Sequence, residues 1–140
     1  MASAGYSGTP LPKKLGIRPG TTVALLGAPP GFVDATLGPL PDGVVVCHDS
    51  RQAFQVGLLF ARSRADLRRR FASTARAMGD PCALWIAWPK KASGVVTDLD
   101  ENAVREVGLA ASLVDYKVAA IDATWSGLCF ARRAPPGARA

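Results

Sequence analysis

The run Trp88-Pro89-Lys90-Lys91-Ala92-Ser93-Gly94 places two ammonium groups, a hydroxyl and a turn-forming glycine directly after an apolar segment. Such a bend can hold an anion. Lysines supply charge, backbone N–H groups around a tight turn supply donors, and the helix expected next adds a positive field at its start. Trp88 and Trp125 offer flat faces on which a ring can stack. An anion-binding site is therefore expected at Trp88, Lys90, Lys91, Ser93 and Trp125. The plainer account of the same residues is solvated lysines beside packed tryptophans.

Other reactive types are sparse. Cys47-His48-Asp49 contains the residues of a nucleophilic site, but neighbours on a strand point to opposite faces, so the thiol and imidazole do not meet. Cys47, Cys82 and Cys129 are far apart, no CxxC occurs and one histidine is present, so no metal site is expected. The thiols read as buried and reduced. Glu101 and Glu106 are the glutamates of the chain and fall on one helix, which leaves no paired-carboxylate site. Seven of the seventeen basic residues lie between Arg51 and Arg76, mostly on a second helix. That face suits solvent better than nucleic acid, because no aromatic residues interleave and no nucleic-acid motif is present.

The whole chain sets bounds on these options. Its 140 residues suit one domain, and 49% hydrophobic with 20% charged residues is ordinary for a globular fold. A net charge of +6 permits an anionic partner without requiring one. No apolar run has the length of a membrane span, and residues 1–6 carry neither a basic nor a hydrophobic region. A cytoplasmic location is expected, with no membrane partner and no protein partner assigned.

The elements that position the candidates follow from periodicity and punctuation. Residues 1–12 read as a flexible arm, 13–133 as the folded domain and 134–140 as a frayed tail. Strands are expected at Thr21–Leu26, Val44–Cys47, Gln55–Phe60, Cys82–Trp88, Leu113–Ile121 and Leu128–Arg132. A short helix fits Phe32–Leu37. Ser63 and Asp66 form a capping box for a helix over Ser63–Met78, with Gly79 as its stop. Thr97 and Asp100 suggest a second box for a helix over Leu99–Ala111. Gly127 reads as the turn of a closing hairpin. The link Ser50–Phe54 is short for a parallel crossover.

Strands alternating with helices give an α/β fold: a single-domain, three-layer, Rossmann-like sheet, mostly parallel, closed by an antiparallel C-terminal hairpin. This arrangement resembles the S-adenosylmethionine-dependent methyltransferase fold, reduced by at least one helix and one strand. The resemblance implies the strand order second, first, third, fourth, sixth, fifth. It also implies ligands at the carboxyl strand ends beside the first strand. Further stretches carry a family resemblance. Gly5-Tyr6-Ser7-Gly8-Thr9-Pro10, Lys13-Lys14-Leu15-Gly16-Ile17, the Trp88–Gly94 bend, Thr97-Asp98-Leu99 and Thr124-Trp125-Ser126-Gly127-Leu128 resemble the bacterial DUF3052 family. Ser112 stands where that family is expected to favour glycine, and Gln55 where an acidic residue is expected. The family brings no activity with it.

Against a methyltransferase cofactor loop, Gly27-Ala28-Pro29-Pro30-Gly31 has two glycines at wide spacing and no preceding acid. Its prolines remove amide donors. Asp49, about twenty residues on, has the spacing of a ribose acceptor. The expectation is thus a non-catalytic binding or regulatory module with a degenerate methyltransferase-like fold, no bound cofactor, and an anionic small molecule as ligand. The first alternative is an S-adenosylmethionine-dependent methyltransferase using Gly27, Gly31 and Asp49. The second is a nucleic-acid-associated protein using the arginine helix.

Overall fold

The computed structural model describes residues 9–132. The expected tail at 134–140 and most of the expected arm, residues 1–8, lie outside them. Six strands form one sheet: β1 (Thr22–Leu26), β2 (Val45–Cys47), β3 (Phe54–Phe60), β4 (Met78–Pro89), β5 (Leu113–Ala120) and β6 (Trp125–Arg132). Their order is 2-1-3-4-6-5, as expected. The pairs β1–β2, β1–β3 and β3–β4 are parallel, whereas β6 runs antiparallel to both β4 and β5. β1 and β3 are almost wholly buried, as continuous apolar runs in a parallel sheet should be.

Three α-helices flank the sheet: α1 (Leu11–Leu15), α2 (Arg64–Arg76) and α3 (Glu101–Ala110). α2 and α3 cover one face over a core that includes Leu59, Leu67, Phe71, Leu84, Ile86, Trp88, Val104 and Phe130. The other face carries α1 and a π-type turn at Val33–Leu37, over Leu15, Leu25, Phe32, Phe60, Trp85 and Trp125. Leu11 and Pro12, expected in the arm, are the first residues of α1 and are buried. The segment lies across the sheet: Trp85 Nε1 donates to Leu15 O at 3.1 Å and Lys14 Nζ to Ala120 O at 3.3 Å.

The short crossover from β2 to β3 works because β2 has three residues. The path from Cys47 to Phe54 must pass over β1, about 10 Å sideways, and drop back by a few residues. An extended link over 48–53 reaches about 20 Å, which suffices without a helix.

Several local expectations are corrected. α2 starts as expected, with Ser63 Oγ accepting from the Asp66 N–H at 3.0 Å. It ends at Arg76, and Met78 already pairs with Phe54 in β4. Gly79 is a strand residue there, and a Cβ on it would come within 2.8 Å of Phe54 O. α3 is capped by Asp100, whose carboxylate accepts from Ala103 N–H at 2.8 Å. Thr97 instead donates to Arg62 O at 2.7 Å and so joins the loop before α3 to the start of α2. The closing turn is held by Asp122 Oδ1, which accepts from Thr124 and Trp125 N–H groups. Gly127 lies within β6, opposite Ala87 and Ala119, and Trp125 opens that strand rather than the turn. Ser112 takes a left-handed φ of 66°, a conformation in which glycine is favoured.

Candidate functional site

The carboxyl edge of β1 carries a crevice of about 390 Å³, lined by Leu25, the turn from Gly27 to Asp34, and His48. It opens where the chain leaves β1 toward one neighbour and later returns on the other side as β3, the switch point of this sheet. Local sequence explains the shape. β1 ends because Gly27 takes a φ of 74°, and Pro29 and Pro30 forbid further ladder bonding. Gly31, with φ 73°, then turns the chain so that Phe32 is buried while the turn stands open. A Cβ on Gly31 would meet nothing within 4 Å, so that corner is empty space.

The turn rests on a charged support. Arg70, on α2, donates to Phe60 O and pairs bidentately with Asp66. Its guanidinium lies behind Gly27, where a Cβ would be 2.8 Å from Nη1. The Arg70 bonds hold the Asp66 carboxyl down at about 2, against the cost of its partial burial. An aromatic chain extends from the turn across the edge. Phe32 and Phe60 meet edge to face at 5.0 Å, as do Phe60 and Trp125. The Arg62 guanidinium sits 5.1 Å over Trp125.

The Lys90–Gly94 bend is built differently. Lys91–Ser93 is one 3₁₀ turn, and the Ser93 hydroxyl donates to Lys90 O at 2.7 Å while accepting from Val95 N–H at 3.1 Å. That hydroxyl staples the bend to itself. Lys91 is exposed, and Lys90 N–H is bonded to Thr124 O at 2.9 Å. Trp88 and Trp125 are both buried, on opposite faces of the sheet: Trp88 packs under the α2/α3 layer and Trp125 with Phe60. The five residues of the expected anion site therefore share one edge, with the two tryptophans on opposite faces of the sheet.

Of the residues expected for a cofactor loop, Gly27 and Gly31 line the crevice, and Asp49 does not. The Asp49 carboxylate accepts from the Arg51 N–H at 3.1 Å and lies 3.7 Å from the Arg51 guanidinium. His48 takes the place at the crevice wall. Sequence reasoning brings His48 and Arg62 to this edge on the loops after the second and third strands, but gives them, like Asp34 and Arg70, no part in the crevice. For Arg70 a signal exists, the i, i+4 spacing from Asp66; for Arg62 and His48 there is none short of the assembled edge.

The arginine helix is largely occupied by internal contacts. Arg62 covers Trp125, Arg64 Nε donates to Asp98 O at 3.1 Å, and Arg69 and Arg70 both bind Asp66. Of the three thiols, expected to be buried, Cys129 is, while Cys47 and Cys82 are half-buried; desolvation pushes Cys82 up to about 12 and Cys129 to about 11, which makes both poor nucleophiles. Among the described residues no cluster of three His, Cys, Asp or Glu could hold a metal, and no helix is long and apolar enough to cross a membrane.

Comparison of the whole fold with solved structures returns chains that include methyltransferases. A magnesium protoporphyrin IX methyltransferase from Synechocystis PCC 6803, crystallised with SAH, matches with TM-score 0.56 at 9% identity, over 82% of this chain and 75% of that one. A ribosomal protein L11 methylase from Lactobacillus delbrueckii subsp. bulgaricus gives 0.58 at 11% identity, over 88% and 75%. The pyocyanin biosynthetic protein PhzM gives 0.60 at 11%, over 88% of this chain and 53% of its own. The chain has a Rossmann-like, methyltransferase-type fold. No family model and no curated protein sequence matches it, so the DUF3052 resemblance gains no support.

Proposed function

We propose that the protein is a reduced S-adenosylmethionine-dependent methyltransferase whose cofactor site is the crevice formed by Gly27–Asp34 and His48. The observation that carries this reading is a concavity of nucleoside size at the switch point of a sheet of this order. The fit is reasonable by shape. Gly31 leaves room for close approach, Asp34 and His48 put polar side chains on the rim, and Leu25 and Phe32 give an apolar floor. It is poorer in backbone donors, since Pro29 and Pro30 have none. When bound, the cofactor would supply an electrophilic methyl group on a sulfonium centre. The chain's own part would be to hold it and exclude water, with the turn braced from behind by Arg70.

Calorimetry with S-adenosylmethionine and S-adenosylhomocysteine tests this. Saturable heat, weakened at least several-fold by His48→Ala or by Gly31→Val, is the expected result. A folded sample that gives no heat with either compound would sink it.

A second reading is a non-catalytic module that binds a small anion at Lys90, Lys91 and Ser93. It is favoured by one observation: neither lysine makes an ion pair among the described residues. Phosphate binding that persists without any cofactor binding would select it.

A further inference from the structure

A second cavity, of about 460 Å³, lies on the sheet face opposite α2 and α3, between α1 and the amino-terminal halves of β3 and β4. It is remote from the crevice, which opens at the carboxyl ends, and the two share no lining residue. Its origin is visible in the side chains. Val56 faces Ala83 across the β3–β4 pair, and Ala131 on β6 comes one step beyond the Leu84–Phe130 pair. Three neighbouring strands thus present small groups in a row, so the floor is low. Two residues further along β4, on the same face, Trp85 rises as a wall and is pinned by its bond to Leu15 O.

The rim has one sign of charge. Lys14, Arg18 and Lys117 line the cavity, and no Asp or Glu does. None of the three makes an ion pair among the described residues. The Lys117 ammonium is held in place, donating to Lys14 O at 2.8 Å and standing 5.9 Å over the Trp85 ring. A basic rim around an apolar floor suits a molecule with a matching split: an apolar body to cover the small side chains and an anionic head for the rim.

We propose that this cavity is a binding site for a small amphiphilic anion, an apolar ring or short acyl body bearing a single carboxylate or sulfonate. The apolar body lies over Val56, Ala83 and Ala131 and the head meets Lys117 and Arg18. The site is independent of the cofactor crevice, so its fate does not depend on that reading.

The test uses 8-anilinonaphthalene-1-sulfonate and its uncharged analogue N-phenyl-1-naphthylamine on the full chain, read by fluorescence and by ¹H–¹⁵N correlation spectra. The expected result is one saturable site for the sulfonate. Its shifts centre on Val56, Ala83 and the Trp85 indole, and affinity for the uncharged analogue is at least about tenfold weaker, as loss of contacts to two or three cations implies. Lys117→Gln and Arg18→Gln should each weaken the sulfonate about three- to fivefold and leave the analogue unchanged. Ala83→Leu or Ala131→Leu should abolish both. Added S-adenosylmethionine should displace neither probe. Equal affinity for the two probes, shifts centred on Gly27–Asp34, or undiminished binding to a folded Ala83→Leu or Ala131→Leu variant would overturn the proposal.

Discussion

The two faces of the sheet are covered in different ways. On one, α2 and α3 lie against large side chains from five strands, and the packing is continuous from Phe54 to Phe130. On the other, a five-residue helix and a short π-type turn do the same task. Both cavities described above open on this thinner side. The face covered by long helices has hollows of about 410 and 330 Å³ at the carboxyl end of α2. The face covered by short segments leaves its gaps over the strands themselves, shaped by single residues such as Gly31, Ala83 and Ala131. These gaps over the strands follow the length of the element laid across them rather than the places where reactive residue types cluster.

The largest effect should come from disturbing the dense face. Gly108 on α3 lies so close to Phe130 that a Cβ would be 2.0 Å from the ring. Gly108→Ala must push α3 outward or force Phe130 off its rotamer, at a cost of about 3 kcal/mol. Ala83→Leu adds more volume, but on the thin face and into open space, and should cost under about 1 kcal/mol. Urea melts of the two variants check this. Equal losses would mean that the faces do not differ in packing after all.

A smaller effect tests the link between the dense face and the crevice. Asp66 braces Arg70, and Arg70 braces Gly27 and the end of β3. The folded carboxyl is held at about 2, below its ordinary 3.8. A depressed carboxyl stabilises the fold above the ordinary value, and that contribution is lost as pH falls from about 4 toward 2. Discounted for solvent screening, the amount is about 1 kcal/mol. Asp66→Asn should remove about that much at pH 7 and flatten the melting-temperature profile between pH 4 and 2. A variant profile as steep as the parent's would assign the acid sensitivity to other carboxylates.

Much of this arrangement is legible in the residues. The continuous apolar runs gave buried parallel strands, and the Ser63–Asp66 box placed the start of α2 to the residue. The strand order followed from a resemblance of the whole pattern. What escaped was decided by tertiary contact. Gly79 and Pro81 look like a helix stop, yet the ladder with Phe54 drew Met78 and Gly79 into β4. Trp125 looks like a turn residue, yet Asp122 closes the turn early and frees Trp125 to pack on Phe60. The crevice was legible as a glycine-bounded turn, and the strand order brings His48 and Arg62 to the same edge, but that His48 walls the crevice and Arg62 covers Trp125 is decided by tertiary packing.

The smallest effect concerns the bend that the sequence makes most conspicuous. Lys90 and Lys91 sit on the edge between the two faces, and the hydroxyl and amides around them are largely taken up by the bend itself. Solvated lysines without partners contribute little, so the double substitution Lys90→Gln and Lys91→Gln should change stability by less than about 0.5 kcal/mol. It should also leave affinity for S-adenosylmethionine unchanged, because neither residue lines the crevice. Calorimetry of the double variant with the cofactor and, separately, with inorganic phosphate reads both. If phosphate binds the parent and not the variant, the charged edge is itself a site. In that case thin coverage of a sheet face would no longer be what decides where this protein holds its ligand.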